Sequence, residues 1–229
     1  MKKSLLVLAV VAACAPVLAQ AEAGDIVVRV RATHVSPDES SSLGATTNAS
    51  LSSTSEALGL YGSNSAELRV DSNTIPEIDF SYYFTKNIAT ELILAVGTRH
   101  DVSITPGSGS QGKNLGSVNL LPPTLTGQWH FNPDQTFDPY VGAGVSYVRA
   151  MDNGLQGATL PIRISRNSFG PAIQAGFDYN LPGRWLINVD VKKIWFDTKV
   201  EANVGGTWTK IDQLGVDPWV VSVGFGKKF

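Results

Sequence analysis

Apolar and polar residues alternate with period two along most of the chain beyond residue 25, the spacing that places successive strand side chains on opposite faces. In residues 25–36, Ile26, Val28, Val30 and Ala32 share one face, with Arg29, Arg31 and Thr33 on the other. In residues 75–84, Ile78, Phe80, Tyr82 and Phe84 oppose Glu77, Asp79, Ser81 and Tyr83. The pattern recurs in residues 88–98, 121–131, 139–149, 168–181, 185–196 and 216–229, eight segments in all. Each is about ten residues or longer, enough for a tilted strand to cross a bilayer. The apolar face is almost free of charge. A soluble sandwich also alternates, but its polar side is outermost and well charged.

Connections between the segments are unequal. Short ones fall at residues 85–87, 132–138 and 182–184, and long ones at 37–66, 101–116, 150–167 and 203–215. Alternation of short turns with long loops marks a membrane barrel with periplasmic turns and extracellular loops. The predicted fold is therefore all-β: an eight-stranded antiparallel transmembrane β-barrel. Aromatics gather at segment ends, as interfacial girdles require. Phe84, Trp129, Phe131, Tyr179, Trp185 and Phe229 are placed at the periplasmic rim, and Tyr147, Phe169, Trp195 and Trp219 at the outer one.

The first residues read differently. Lys2 and Lys3 precede an apolar run over residues 5–13, and Val17, Ala19, Ala21 and Ala23 stand at the spacing signal peptidase reads. This predicts a signal peptide over residues 1–23, removed after Ala21 or Ala23, and a single barrel domain over 24–229. Cys14, the one cysteine, leaves with it; a lipobox reading of residues 11–14 competes, but the apolar run continues past Cys14. Beyond the leader no apolar run approaches the roughly 20 residues of a membrane helix.

Composition narrows the function classes. Charged residues are 17% of the 229, with 18 basic against 20 acidic and a net charge of −2. No basic stripe is present, which argues against a nucleic-acid partner. The three histidines, His34, His100 and His130, show no metal-ligand spacing, and no nucleophile signature accompanies the serines. Neither a cofactor, a metal nor an enzymatic activity is expected.

Several stretches resemble the OmpW family of outer-membrane proteins: VRVRATHVSP at 28–37, PEIDFSYYFTKNI at 76–88, LPPTLTGQWHF at 121–131, DPYVGAGVSY at 138–147, GPAIQAGFDYNL at 170–181, WLINVDVKKIWF at 185–196 and the end of the chain from 217. Their order and spacing make the resemblance specific, and the long loops stay unmatched. The resemblance implies an eight-stranded barrel in the bacterial outer membrane that gives small hydrophobic molecules a route across it; some relatives assist alkane uptake. The chain ends on Phe229, similar to the terminal signal read by the barrel-assembly machinery, although Lys227 stands where that signal usually has an apolar residue. Outer-membrane lipids and small hydrophobic solutes are the other expected partners.

An eight-stranded barrel is just wide enough for its own side chains to fill. The inward charges Arg29, Glu77, Asp79, Glu91, Asp178, Asp190 and Lys192 are therefore expected to form a paired network. Two readings stay open: a plug that holds the barrel shut, or a polar path for a hydrophilic solute. Nearer the outside the inward positions lose charge, and Ile93, Ala95, Ile194 and Phe196, with Leu155, Leu160 and Ile162 from a long loop, are expected to line an apolar funnel. Above a plug, a hydrophobic solute needs a side exit. Proline cannot donate to a strand ladder, so Pro76, Pro122, Pro123 and Pro171 mark candidate gaps in the wall, or mere bulges. The Ser- and Thr-rich loop 37–66 has little apolar surface to bury, and mobility is its default.

Overall fold

The alternating segments fold as strands that close on themselves. A computed structural model describes residues 22–50, 54, 58, 64–95, 98–105, 113–152, 154–156 and 160–229, so the signal peptide expected over 1–23 lies, up to residue 21, outside the described residues. The elements are β1 (Ile26–Ser36), α1 (Leu43–Ser50), β2 (Leu68–Val70), β3 (Asn73–Tyr83), β4 (Ile88–Ala95), β5 (Thr98–Ile104), β6 (Lys113–Leu121), β7 (Thr124–His130), β8 (Phe137–Asp152), β9 (Gly154–Gln156), β10 (Pro161–Ile164), β11 (Asn167–Asn180), β12 (Trp185–Ile194), β13 (Asp197–Val204), β14 (Thr207–Gly215) and β15 (Trp219–Lys228).

Eight of these form the barrel in the order β1-β3-β4-β7-β8-β11-β12-β15, each antiparallel to the next. Closure comes from β15 returning to β1, in register from Val27 opposite Lys228 to Ser36 opposite Trp219. A closed barrel leaves no unpaired edge in the bilayer, where every backbone polar group must be satisfied internally. The tight turn before β12 has positive φ at both Gly183 and Arg184, at 77° and 66°.

The apolar face points outward. Val30, Phe80, Leu125, Val145, Ile173, Val223 and Phe225 are all exposed on the barrel wall, while Arg29, Arg31, Asp79 and Glu91 on the other face are buried. This inversion is what a lipid-facing wall requires. On β8, Phe137 and Tyr147 bracket this wall, and each stacks across the sheet, on Phe177 and Phe169 respectively. At about 3.3 Å per residue and a tilt of about 40°, the strand between them covers ~25 Å, the height of an outer-membrane apolar band.

Three hairpins continue beyond the outer rim, and here the expected loops differ from the structure. Within residues 101–116, expected as a loop, 101–104 and 113–116 are strand: β5 and β6 pair with each other, and β6 joins the top of β8. In the same way β13 and β14 pair, and β10 and β9 extend them into a four-stranded sheet. The loop expected to be mobile carries α1 and contributes Leu43 and Leu58 to a buried cluster. That cluster gathers residues from β2, β5, β6, β9, β10, β13 and β14, and roofs the barrel.

Candidate functional site: an apolar cavity above a charged lumen

Arg29 and Arg31 project from β1 into the lower lumen at the height where β15 presents Gly226 and Gly224 in register with them. A Cβ on Gly226 would stand 2.7 Å from the Arg29 Cγ, and one on Gly224 2.8 Å from the Arg31 Cγ. The glycines thus leave room for the two arginine stems to lie across the wall. Arg29 reaches Asp79 at 2.9 Å and Asp178 at 2.7 Å. Arg31 reaches Glu77 at 3.0 Å, Asp79 at 3.1 Å and Glu91 at 2.6 Å.

The network extends through neutral groups. Gln174 donates to Glu91 at 3.1 Å, and Asn188 donates to Asp178 at 2.7 Å. Tyr140 donates to Asp190 at 2.8 Å, and Asp190 also pairs with Lys192. Below these, His130 Nδ1 meets Asp138 at 2.8 Å and its Nε2 meets the Tyr83 hydroxyl at 3.1 Å. All seven charged residues expected in the lumen lie there and are buried. Arg31, Asp138, Tyr83 and Tyr140 are further members. Arg31 was visible as the next inward position after Arg29, whereas the His130–Asp138 pair spans a turn and left no local signal.

Above this plug the wall becomes apolar. A cavity of ≈ 70 Å³ is lined by Val35, Ile75, Ile93, Ala95, Leu120, Pro122, Ile194, Phe196 and Val220, with Glu77, Lys192, Thr98 and His100 among its polar lining residues. A second cavity of ≈ 40 Å³ lies towards the roof and includes Leu155. Both are lined by Val70, Leu120, Val148, Phe196 and Val216, so the two cavities adjoin. Of the residues expected to line a funnel, Ile93, Ala95, Ile194 and Phe196 surround the first cavity. Leu155 and Ile162 instead belong to the roof cluster, and Leu160 packs against it. The upper lumen is a roofed chamber rather than an open funnel, because the hairpins converge above it and bury their apolar residues on one another.

Among the described residues, the wall of that chamber has an interrupted seam. The β4–β7 ladder ends with Ile93 opposite Thr124, and the β5–β6 ladder resumes with Thr98 opposite Leu120. Between them, among the described residues, Leu94 and Ala95 have no partner across the seam in Leu121, Pro122 or Pro123. Neither proline carries a backbone N–H. Each lip is anchored on its far side: Leu94 and Ala95 pair with Ile78 and Glu77 on β3, and the Pro123 carbonyl accepts from Tyr147 N at 2.9 Å. At Pro76 the β1–β3 pairing runs on, opposite Ala32. At Pro171 the strand pairs with Val145, and its carbonyl accepts from Trp195 N at 3.0 Å. Those two prolines sit in continuous pairing.

A closed eight-stranded barrel with a lipid-facing apolar wall and a polar interior defines an outer-membrane β-barrel protein. The OmpW family model matches residues 22–229, and the chain belongs to that family. It is 33% identical to outer membrane protein W of Vibrio cholerae over the full length of both. It is 31% identical to outer membrane protein AlkL of Ectopseudomonas oleovorans, over 69% of this chain and 67% of that one. Among solved structures, OprG of Pseudomonas aeruginosa superposes with a TM-score of 0.75 at 30% identity, covering 92% of this chain and 98% of the other.

Proposed function

We propose that this chain is a narrow channel for the passive uptake of small hydrophobic molecules, which enter the roofed chamber from outside and leave sideways into the membrane at Pro122 and Pro123. The observation that carries the reading is a coincidence of position. The apolar cavity reaches the wall at Ile93, Ala95, Leu120 and Pro122, where, among the described residues, the ladder between the adjoining strands is interrupted. Straight descent runs into buried, mutually paired charges, where an apolar solute would displace ion pairs whose partners would then be left uncompensated. A lateral route avoids that cost, because the solute passes from one apolar medium to another.

A second reading is favoured by the roof. Its buried cluster closes the chamber from above, which fits a structural or surface-interaction barrel with a plugged lumen. A channel for small polar solutes is the remaining alternative and would use the charge network. Uptake by cells lacking the chain and by cells carrying it separates the three, using an apolar probe and a small polar one. The channel reading expects faster apolar uptake, lost in Ile93→Glu and Phe196→Glu. Polar uptake alone moves the mechanism to the charge network, and no uptake of either leaves the structural barrel.

A further inference from the structure

The chamber wall is apolar except at a few positions, and most of its polar side chains are already engaged. Thr33 bonds Ser222 and Thr124 bonds Ser146, both at 2.9 Å. Glu77 is held by Arg31 at 3.0 Å, and Lys192 by Asp190. Two groups on β5 are different. Thr98 is buried, lines the cavity, and its Oγ1 has no hydrogen-bond partner among the described residues. His100, also buried and on the cavity wall, uses Nδ1 on the Asp71 carbonyl at 2.8 Å. In the neutral ring that makes Nδ1 the donor and leaves Nε2 an acceptor, with no further hydrogen bond to His100 among the described residues.

Thr98 and His100 are two positions apart on one strand, so both side chains stand on the lumen face, their Cα atoms about 7 Å from one another. One offers a hydroxyl and the other an acceptor nitrogen, side by side in an otherwise apolar wall. Buried polar groups in proteins are normally matched, so a donor and an acceptor left open in a cavity point to a partner that arrives with the solute.

We infer that the chamber selects neutral amphipathic solutes, an apolar body carrying one hydroxyl group, which donates to His100 Nε2 and accepts from Thr98 Oγ1. This rests on the uptake reading above and names the solute class for that same cavity. Other head groups fit less well. A carboxylate would lose its hydration beside Glu77, whose own charge repels it. An ammonium would need a free carboxylate, and Glu77 is already engaged by Arg31. An alkane fills the apolar space and leaves both polar groups open.

The test uses the mature chain in lipid nanodiscs, with nuclear magnetic resonance signals from the Thr98 methyl and the His100 ring nitrogens. It is titrated with n-octane, 1-octanol and octanoate, each corrected for partition into empty nanodiscs. One net hydrogen bond makes octanol bind about 3- to 10-fold tighter than octane, with the His100 Nε2 signal moving for octanol only. Thr98→Val, which keeps the β-branched shape and leaves the His100 acceptor in place, reduces the octanol-to-octane ratio without weakening octane, while Thr98→Ser keeps the full preference. Equal binding of octane and octanol in the unaltered chain, a preference unchanged in Thr98→Val, or octanoate as the tightest of the three each overturns the inference. Because octane binding reports the cavity alone, octane that binds without a preference refutes only the solute class. Failure of all three to bind refutes the uptake reading as well.

Discussion

Below Glu77 the lumen is filled by Arg29, Arg31, Asp79, Glu91 and Asp178, each fixed by partners at hydrogen-bond distance. A few residues further along the same strands, Ile75, Ile93, Ile194 and Val220 surround open space. Both halves come from one alternating wall with the same strand order, so the fold does not distinguish them; the inward side chains do. Ionic groups out of water are tolerable only with complete partners, and that demand fixes one arrangement. Apolar groups make non-directional contacts, which a solute can replace at small cost. On the proposed reading the lower half acts as a stopper, and the upper half is a surface able to exchange its contacts.

This contrast predicts unequal responses to substitution. The largest effect is expected for Arg29→Met, which strips Asp178 of its arginine and leaves Asp79 with Arg31 alone, and costs about 3–5 kcal/mol. Urea unfolding of the chain inserted in lipid vesicles measures it, and a loss below about 1 kcal/mol would show that the network does not hold the lower half. Gly224→Ala comes next. Its Cβ would lie 2.1 Å from the Val30 carbonyl oxygen and 2.8 Å from the Arg31 Cγ. The overpacking is expected to cost about 1–3 kcal/mol in the same assay.

In the upper half, Ile93→Val is expected to cost only about 0.5–1.5 kcal/mol while admitting bulkier apolar probes. An unchanged size limit for uptake would contradict the assignment of Ile93 to the solute wall. The smallest effect belongs outside the membrane, on the β10 and β13 strands. Hydrogen bonds from Lys199 and Arg163 hold the partly buried Glu201 carboxylate below its ordinary range. With the folded value depressed, the contribution is present above the unfolded pKa of about 4.3 and is lost as pH falls through the folded value. Proteolysis of this hairpin is expected to quicken slightly on acidification in the unaltered chain and to show no such step in Glu201→Gln.

The two halves also differed in how far the sequence revealed them. Strand alternation is local, so the barrel, its outward aromatics and the inward charges from Arg29 to Lys192 could be read from the order of residues. The roof could not. Leu43, Leu68, Ile104, Leu155, Ile162 and Leu214 come from four connections far apart in the chain, and their burial exists only where the hairpins meet. The Ser- and Thr-rich composition around α1 hid two leucines that pack there. The prolines were readable as candidates, but which of them coincides with broken pairing depends on the register of both neighbouring strands. Pro76 continues a ladder opposite Ala32, whereas Pro122 and Pro123 fall between two ladders.

The side exit is tested most directly by bridging the seam. Ala95 and Pro122 both line the chamber, on opposite lips of the unpaired stretch. The only cysteine of the sequence, Cys14, falls in the segment expected to be removed as a signal peptide, so Ala95→Cys with Pro122→Cys introduces a single reactive pair. Apolar-probe uptake is measured in cells before and after joining the two thiols with a short reducible linker, and again after reduction. Uptake that falls about tenfold on bridging and recovers on reduction, a shift of about 1.4 kcal/mol in the barrier, is the predicted result. Uptake that continues at full rate with the seam bridged would contradict the lateral route and return the exit to the lumen below.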